Sequence, residues 1–424
     1  MESNEFLNKS PALYGIASAR SVAQPEHRIK KKIEHSGENS DKVFDIIVLG
    51  VGSMGSSTCY YLAKQGVKVL GLEQFEIPHE FGSHAGQSRI IRKAYYEHSS
   101  YVPLLERAYK NWKELEDISG VPVYFKTGLF YFGKPDHPII KGVHKSANKY
   151  KIRIDSIPQL TFIANYPQLN IPADYEKLFE PDAGFITPER AILLYAEQAL
   201  LYGAVIKTKQ KVLKWTKNKN EISVITGTGS YKAKKLVITA GPWAGKMVPE
   251  LSHTLTVTRQ LIAWVIPRKL KPFKLGTFPC WMIADETKPG VYYGFPILPV
   301  NKFKGPVGLK LAHHFAGSIT DPDNINRVPS PEDESNLVYT LNKYFRDGYR
   351  YTQEMKTCIY TNTPDENFIL DFLPGYDKDV IIATGFSGHG FKFASVVGEI
   401  MSDLAIKGST QLPIGFLTAR RYVK

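Results

Sequence analysis

Residues 44–74 show a pattern of apolar and polar positions that predicts a strand, a helix and a second strand. Five of the six residues 44–49 are apolar, as expected of a strand buried on both faces of a parallel sheet. A glycine-containing turn follows, and then a stretch of helical spacing that continues through Lys64. Gly66 ends the helix, and the segment VKVLGL (67–72) predicts the next strand. This order is typical of a β-α-β unit.

Three later regions repeat or vary this arrangement. Residues 185–260 again have β-α-β patterning, with helical spacing at 189–204 and a buried strand that ends at Ala240. Residues 255–315 are instead rich in aromatic and β-branched residues with Pro and Gly breaks, which is typical of an antiparallel sheet. Residues 379–408 combine a strand, a glycine-rich loop and a helix.

These patterns predict an α/β fold with an α+β insertion. We expect a discontinuous, Rossmann-like nucleotide-binding domain and an antiparallel-sheet substrate domain. The predicted segments of the nucleotide-binding domain are 44–130, 185–257 and 355–424. The predicted segments of the substrate domain are 131–184 and 258–354. Residues 1–43 lack apolar periodicity, and we predict a flexible arm there.

Composition and charge exclude several classes of protein. Of the 424 residues, 43% are hydrophobic and 22% charged, and no apolar run reaches the roughly 18 residues of a membrane-spanning helix. The net charge of +13 comes from dispersed lysines with one short basic run at 28–32, which predicts attraction of anionic substrates and no nucleic-acid binding. Three scattered cysteines give neither a disulfide framework nor a metal site, so we expect a reducing, cytoplasmic location.

The turn after the first predicted strand contains the motif G-x-G-x-x-G at Gly50, Gly52 and Gly55, and Glu73 stands at the end of the second strand. Such glycines let a pyrophosphate approach the backbone at a helix N-terminus, and the acid accepts hydrogen bonds from ribose hydroxyls. The motif in this setting predicts a dinucleotide site and disfavours the 2′-phosphate of NADP. These residues leave FAD and NAD both open, and the later strand that ends at Ala240 favours a flavin.

The glycine-rich loop GFSGHGFKFA occupies residues 385–394, after a strand of the same buried type. A helix that begins near Phe391 would direct its positive end at whatever lies in front of the loop. We expect this end to stabilise negative charge at the N1/O2 edge of a reduced flavin. The alternative is a packing loop in which the glycines only turn the chain.

Longer motifs point to a known family. They are GSMG (52–55), GSHAGQSRIIRKAY (82–95), YVPL (101–104), YYGFP (292–296), GLKLAHH (308–314), CIYTNTPDENFILD (358–371) and SGHGFKFAS (387–395). In this order they resemble the family of monomeric sarcosine oxidase and N-methyltryptophan oxidase. The resemblance covers nearly the whole chain from about Phe44 onward.

The resemblance implies FAD as the cofactor, attached through a thioether between Cys358 and the 8α-methyl group of the flavin. Attachment needs a thiolate, so we expect a positive charge nearby that favours the ionised thiol. The residues that match the family's cofactor-binding positions are Gly50, Gly52, Ser53, Met54, Gly55, Glu73, Ser83, Arg89, Cys358, Gly388, Gly390 and Lys392.

The resemblance also implies a site for a carboxylate-bearing substrate. Arg92 and Lys392 match the family's carboxylate-binding pair. Arg89 and Lys310 match positions on either side of the flavin ring, and Lys310 corresponds to the family's oxygen-activating lysine.

Three further residues, Tyr293, His314 and Tyr360, match the lining of the family's substrate cavity. Tyr292 should point the opposite way from Tyr293, because side chains alternate along a strand. One position departs from the family pattern: Ala85 stands where relatives have a second histidine. This change alters hydrogen bonding beside the flavin, and it bears on turnover, flavin attachment and substrate choice.

The reaction implied by the resemblance is oxidation of N-methyl, or secondary, amino acids such as sarcosine or N-methyl-L-tryptophan by a monomeric enzyme. Hydride passes to FAD and then to O2, which gives H2O2, and the imine hydrolyses to formaldehyde and the primary amino acid. The expected partners are the amino acid and O2. Alternatives are oxidation of a cyclic secondary amino acid like pipecolate or proline, a flavin dehydrogenase with another electron acceptor, a nicotinamide dehydrogenase, and a non-catalytic binding protein.

Overall fold

The computed structural model describes residues 43–315 and 317–422. The predicted arm 1–43 lies outside this part of the chain except for its last residue, which begins the first strand. The α-helices of the described residues are α1 (Ser53–Lys64), α2 (Val102–Ser119), α3 (Pro138–Tyr150), α4 (Gln159–Asn165), α5 (Pro188–Leu201), α6 (Ala244–Met247), α7 (Pro331–Tyr344) and α8 (Ala394–Lys407).

The strands of the described residues form three sheets. In chain order they are β1 (Val43–Leu49), β2 (Val69–Leu72), β3 (Arg89–Ile91), β4 (Tyr124–Lys126), β5 (Leu129–Gly133), β6 (Asp155–Ser156), β7 (Glu176–Glu180), β8 (Gly184–Ile186), β9 (Val205–Lys207), β10 (Val212–Asn218), β11 (Glu221–Thr226), β12 (Ser230–Ile238), β13 (Thr256–Ile266), β14 (Cys280–Ile283), β15 (Val291–Phe295), β16 (Leu309–His314), β17 (Tyr351–Asn362), β18 (Ile369–Phe372) and β19 (Val380–Thr384).

The first sheet has β1 near its centre, paired in parallel with β2 and β12, and β12 pairs in parallel with β19. Ile46 and Val48 face a core formed with α1, α5 and α8, whereas Ile47 and Leu49 face a second core on the other side of the sheet. The predicted β-α-β arrangement is therefore confirmed. Because parallel strands end at one edge of a sheet, the loops after β1, β2, β12 and β19 lie near one another.

Helix α1 is buried along nearly its whole length, in contact with α5 and α8. A Cβ atom at Gly398 on α8 would lie 2.5 Å from Oγ of Ser57 on α1, so glycine permits this close approach. Oγ of Ser57 also donates a hydrogen bond to the carbonyl oxygen of Ala394 (2.7 Å). These contacts fix the start of α1, and the glycine turn before it, relative to the C-terminal loop 385–394.

The second large sheet has the order β17-β13-β16-β15-β14-β5-β7-β6. The antiparallel sheet predicted for residues 255–315 is confirmed, since β13, β14, β15 and β16 pair in this way. One pairing in the sheet is parallel, between β14 and β5. A small third sheet has the order β3-β8-β4.

Strand β17 joins the second sheet, where it pairs with β13 from Tyr351 to Asn362. The sequence assigned residues from 355 onward to the nucleotide-binding domain, so its predicted boundary falls inside a strand of the other sheet. The predicted boundary at residue 130 also falls inside a strand, because β5 extends from Leu129 to Gly133. The division into domains stays a prediction. No helix of the described residues is long and apolar enough to cross a membrane.

Candidate active site

A large cleft is lined by residues of both large sheets and the loops between them. It has a volume of about 1730 Å³, including open solvent at its mouth. The predicted site residues that line it are Gly50, Gly52, Ser53, Met54, Glu73, Ser83, Arg89, Arg92, Tyr293, His314, Cys358, Tyr360, Gly388, Gly390 and Lys392.

The glycine turn between β1 and α1 forms one end of this cleft. Gly50 has φ +89°, and a Cβ atom there would lie 2.7 Å from the carbonyl oxygen of Thr239, so only glycine fits without strain. Gly55 does not line the cleft, because it lies inside α1 where a Cβ atom would collide with the carbonyl oxygen of Gly50 at 1.8 Å. Its role in this structure is to let α1 pack against the turn.

Glu73 lies at the end of β2 and lines the same end of the cleft. Its carboxylate accepts hydrogen bonds from the backbone N–H groups of Val51 (2.8 Å) and Phe75 (3.0 Å). Burial raises the pKa of Glu73 to about 7, against these hydrogen bonds. The carboxylate therefore anchors the glycine turn to the end of β2, in addition to the ribose contact that the sequence predicts.

Cys358 and Arg89 meet in the middle of the cleft. Nη2 of Arg89 lies 3.6 Å from Sγ of the buried Cys358, which is the positive charge that the sequence predicts near this thiol. The same guanidinium donates hydrogen bonds to the carbonyl oxygens of Ser88 (2.9 Å) and Ala85 (2.6 Å). Because the contact at Ala85 is with the backbone, it does not depend on the side chain that replaces the family's histidine.

Lys310 is buried but does not line the cleft. Its ammonium group donates hydrogen bonds to the carbonyl oxygen of Gly86 and to both the carbonyl and the hydroxyl oxygen of Ser88. Burial and the neighbouring Arg89 hold the pKa of Lys310 well below its usual range. The lysine thus lies directly behind the segment that contains Arg89.

Arg92 is buried and already has an anionic partner. Its Nη2 donates hydrogen bonds to both carboxylate oxygens of Glu97 (2.6 Å each), and its Nη1 donates to the carbonyl oxygen of Ala94 (2.9 Å). Cζ of Arg92 lies 4.4 Å from the ring centroid of Tyr95 and 4.3 Å from that of Tyr96, so two aromatic rings pack against the guanidinium. A ligand can reach only its remaining N–H groups.

Lys392 lies next to Arg92 at the same end of the cleft. Its Nζ donates a hydrogen bond to the carbonyl oxygen of His389 (2.7 Å). Burial, together with the charge of Arg92, lowers the pKa of Lys392 to about 7, although Glu97 acts in the opposite direction. The structure therefore brings together the two cations that the sequence assigned to carboxylate binding.

The remaining predicted residues, Tyr293, His314 and Tyr360, also meet at this end of the cleft. Nδ1 of His314 lies 3.4 Å from the hydroxyl of Tyr360, and burial lowers the pKa of His314 to about 4, so the ring is neutral near pH 7. A Cβ atom at Gly388 would lie 2.3 Å from the ring of Tyr360, so a glycine there lets the C-terminal loop cover this tyrosine.

Tyr292 points away from the cleft, and the prediction from strand alternation is confirmed. Its ring stacks on His313 with centroids 4.0 Å apart, and its hydroxyl donates a hydrogen bond to Oδ1 of Asn336 (3.1 Å).

His84 is a cleft residue that sequence reasoning did not single out. Its side chain is 3% exposed and lines the cleft beside Gly52, yet its Nε2 has no hydrogen-bond partner among the described residues. Burial, with the neighbouring Arg89, lowers the pKa of His84 to about 4, so the ring is neutral. FAD carries oxygen acceptors along its phosphates and ribityl chain that could satisfy such a group, and the glycine cradle fits its pyrophosphate. The residues present therefore fit FAD.

Sequence reasoning also missed four residues near the two cations: Tyr95, Tyr96, Glu97 and His389. Tyr95 ends the motif at residues 82–95, and Tyr96 and Glu97 follow it directly. Their spacing along the sequence gives no sign that their side chains contact the guanidinium of Arg92. The hydroxyl of Tyr95 is hydrogen-bonded to Nδ1 of His389 in the C-terminal loop, a contact between residues almost 300 positions apart.

A parallel sheet with a glycine turn at its edge, joined by one cleft to a largely antiparallel sheet, defines a two-sheet dinucleotide-binding protein with buried cations in its cleft. The chain belongs to the FAD dependent oxidoreductase family, whose model matches residues 45–404. It is 38% identical over 383 residues to monomeric sarcosine oxidase of Bacillus sp. (strain B-0618), covering 89% of this chain and 96% of that protein.

A further relative supports this assignment, and a solved structure agrees with the fold. The chain is 33% identical over 363 residues to N-methyl-L-tryptophan oxidase of Citrobacter koseri, covering 85% of this chain and 94% of the relative. Among solved structures it is similar to NikD, described as an unusual amino acid oxidase essential for nikkomycin biosynthesis, with a TM-score of 0.78, 23% identity and coverage of 89% and 97% of the two chains. The likeness to NikD concerns the fold.

Proposed function

We propose that this protein is an oxidase of small secondary amino acids, with FAD bound through Cys358 and O2 as the electron acceptor. The observation that supports it most directly is that one cleft is lined by a dinucleotide-type glycine turn, by Cys358 with Arg89 beside it, and by the buried cations Arg92 and Lys392. The names of the relatives, which are oxidases of N-methyl amino acids, agree with this assignment.

The residues that would hold the cofactor line one cleft, which includes both the glycine turn and Cys358. Gly50, Gly52 and Glu73 would hold its adenosine diphosphate half, and His84 would donate a hydrogen bond to one of its oxygens. Cys358 would hold the flavin end, with Arg89 stabilising the thiolate needed for attachment. When bound, FAD supplies the acceptor for the two electrons of the oxidised C–H bond.

The chain's own residues would orient the amino acid against that acceptor. Arg92 and Lys392 would bind its carboxylate, which places the C–H bond next to nitrogen at a fixed distance from the cations. His314 is neutral, so the cavity can take an amine without adding another cation beside it. Tyr293 and Tyr360 would exclude water from the reacting carbon.

Lys310 would act in the step that uses O2. Its hydrogen bonds are to Gly86 and Ser88, in the segment that contains Arg89, and the resemblance assigns this lysine to oxygen activation. We further propose a monomeric protein in a reducing compartment such as the cytoplasm, in keeping with the free thiols of Cys59, Cys280 and Cys358.

The test of the proposed function is reduction and reoxidation of the bound flavin. The purified holoprotein should be yellow, should lose its visible colour with sarcosine under anaerobic conditions, and should regain it with O2 while one H2O2 forms per amine oxidised. A panel that includes proline and pipecolate identifies the amine. Fast bleaching followed by slow recovery in O2 would indicate a flavin dehydrogenase and not an oxidase. No bleaching by any secondary amine would refute the proposal.

Substrate binding should depend on the protonation of Lys392. Its pKa is lowered to about 7, so the ammonium is charged below pH 7 and loses its proton as the pH rises through that value. A bound carboxylate favours the charged form, and KM for sarcosine should therefore rise above pH 7 by at most about tenfold per pH unit. The measurement is KM against pH for wild type and Lys392→Met.

The variant should have a higher KM at pH 6 and should lack the additional rise above pH 7. Lys177→Met is a matched control, because Lys177 is also buried and donates to backbone carbonyls but lies outside the cleft. Parallel pH profiles for wild type and Lys392→Met would contradict the assignment of Lys392 to carboxylate binding.

A further inference from the structure

We propose that Tyr96 sets the size limit of the substrate and restricts the enzyme to compact secondary amino acids, excluding those with a bulky aromatic side chain. The inference rests on the proposed function, because it concerns the choice of amine at the same site. Tyr96 was not singled out by the sequence, and its placement in the structure gives the reason for this role.

The first argument is the distance between Tyr96 and the carboxylate site. The centroid of the Tyr96 ring lies 4.3 Å from Cζ of Arg92, and Tyr96 lines the cleft whereas Tyr95, at a similar distance from the guanidinium, does not. A carboxylate binds an arginine in the plane of the guanidinium. Any amino acid held there therefore has its α-carbon and side chain beside the edge of the Tyr96 ring.

The second argument is that the backbone of Tyr96 cannot retreat. A Cβ atom at Gly142 on α3 would lie only 2.6 Å from the carbonyl oxygen of Tyr96, so the helix is already in close contact with this segment. Ser146, one turn further along α3, donates a hydrogen bond to the carbonyl oxygen of Tyr95. Buried Glu180 accepts hydrogen bonds from the backbone N–H groups of Lys93 (2.6 Å) and Ala94 (3.2 Å). The segment is held from both sides.

The third argument is that the side chains packed near Tyr96 are also fixed. Tyr96 and Tyr293 pack against one hydrophobic cluster that includes Met282, and all three residues line the cleft. Met282 and Tyr293 are paired neighbours in the second sheet, so they cannot move apart without breaking strand pairing. A larger substrate side chain would have to displace the Tyr96 ring, and close-packed interiors resist such overpacking.

The hydroxyl of Tyr96 has no hydrogen-bond partner among the described residues. A role in specificity could therefore come from the bulk of the ring or from its O–H group. We assign it to the ring, because the ring is the part that contacts Arg92, and the two origins separate in experiment. Tyr96→Phe keeps the ring, whereas Tyr96→Ala removes it.

The experiment compares kcat/KM for sarcosine and for N-methyl-L-tryptophan in the holoenzymes of wild type, Tyr96→Phe and Tyr96→Ala. Wild type should favour sarcosine by at least about 100-fold, and Tyr96→Phe should keep this ratio within about threefold. Tyr96→Ala should lower the ratio by at least about tenfold through faster oxidation of the aromatic substrate. Flavin content and thermal unfolding verify that each variant is folded.

The outcomes separate this inference from the function on which it rests. Efficient oxidation of both substrates by wild type, or an unchanged ratio in Tyr96→Ala, would overturn the size limit while leaving the oxidase intact. If Tyr96→Phe loses the preference for sarcosine, the hydroxyl and not the ring sets that preference. This result would also overturn the size limit. If neither substrate bleaches the flavin of wild type and sarcosine-sized cyclic amines fail as well, the proposed function itself is wrong.

Discussion

Replacing Cys358 by Ala is expected to abolish covalent retention of flavin. Sγ of Cys358 lies 3.6 Å from Nη2 of Arg89, and this sulfur is the atom that would form the thioether with the flavin. The denatured wild-type chain should exceed the mass of its 424 residues by one FAD, and acid precipitation should leave the yellow colour in the pellet. In Cys358→Ala nearly all of the flavin should move to the supernatant.

Cys280→Ala is the matched control for this experiment. Cys280 is equally buried and lies in the same sheet, but its neighbour is the hydroxyl of Thr127 (3.4 Å) and it does not line the cleft. It should retain flavin as wild type does. Arg89→Met should lower the attached fraction while Cys358 is still present, since the thiol loses its nearest cation. Flavin that stays in the pellet of Cys358→Ala would assign the attachment to another residue.

Much of the fold could be predicted because its signals are local. The run 44–49, the glycine turn and Glu73 lie within a single β-α-β unit, so spacing alone orders them. Strand β17 shows where such reasoning ends. Its residues resemble those of any half-buried strand, and only the pairing of Cys358 with Gln260 on β13 places it in the second sheet.

The candidate site was predicted less completely, for a related reason. The resemblance identified Arg92 and Lys392 as a pair, and the structure brings them together from opposite ends of the chain. It did not identify Glu97, although a carboxylate bonded to Arg92 determines how much positive charge a substrate meets. Ion pairing, ring stacking and an unpartnered nitrogen such as Nε2 of His84 depend on side-chain direction, which spacing along the sequence does not determine.

Replacing Arg92 by Met is expected to raise KM for sarcosine by roughly 150-fold, or about 3 kcal/mol, the usual magnitude for loss of one partner of a buried charged contact. Two effects add in the same direction. The substrate carboxylate loses its main hydrogen-bond donor, and Glu97 is left with its negative charge beside the carboxylate site. Lys392 would then be drawn to Glu97 and would no longer serve the substrate.

A compact secondary amine without a carboxylate, such as N-methylethylamine, distinguishes this electrostatic role from a structural one. Its weak oxidation should not fall in Arg92→Met, because it makes no use of the cation. Arg107→Met is the protein control: Arg107 is also ion-paired, with Nε 2.7 Å from Oε2 of Glu399, but it lies outside the cleft and should leave KM for both amines unchanged. Equal losses with both amines in Arg92→Met would mean that Arg92 supports the fold of the cavity and does not bind the carboxylate.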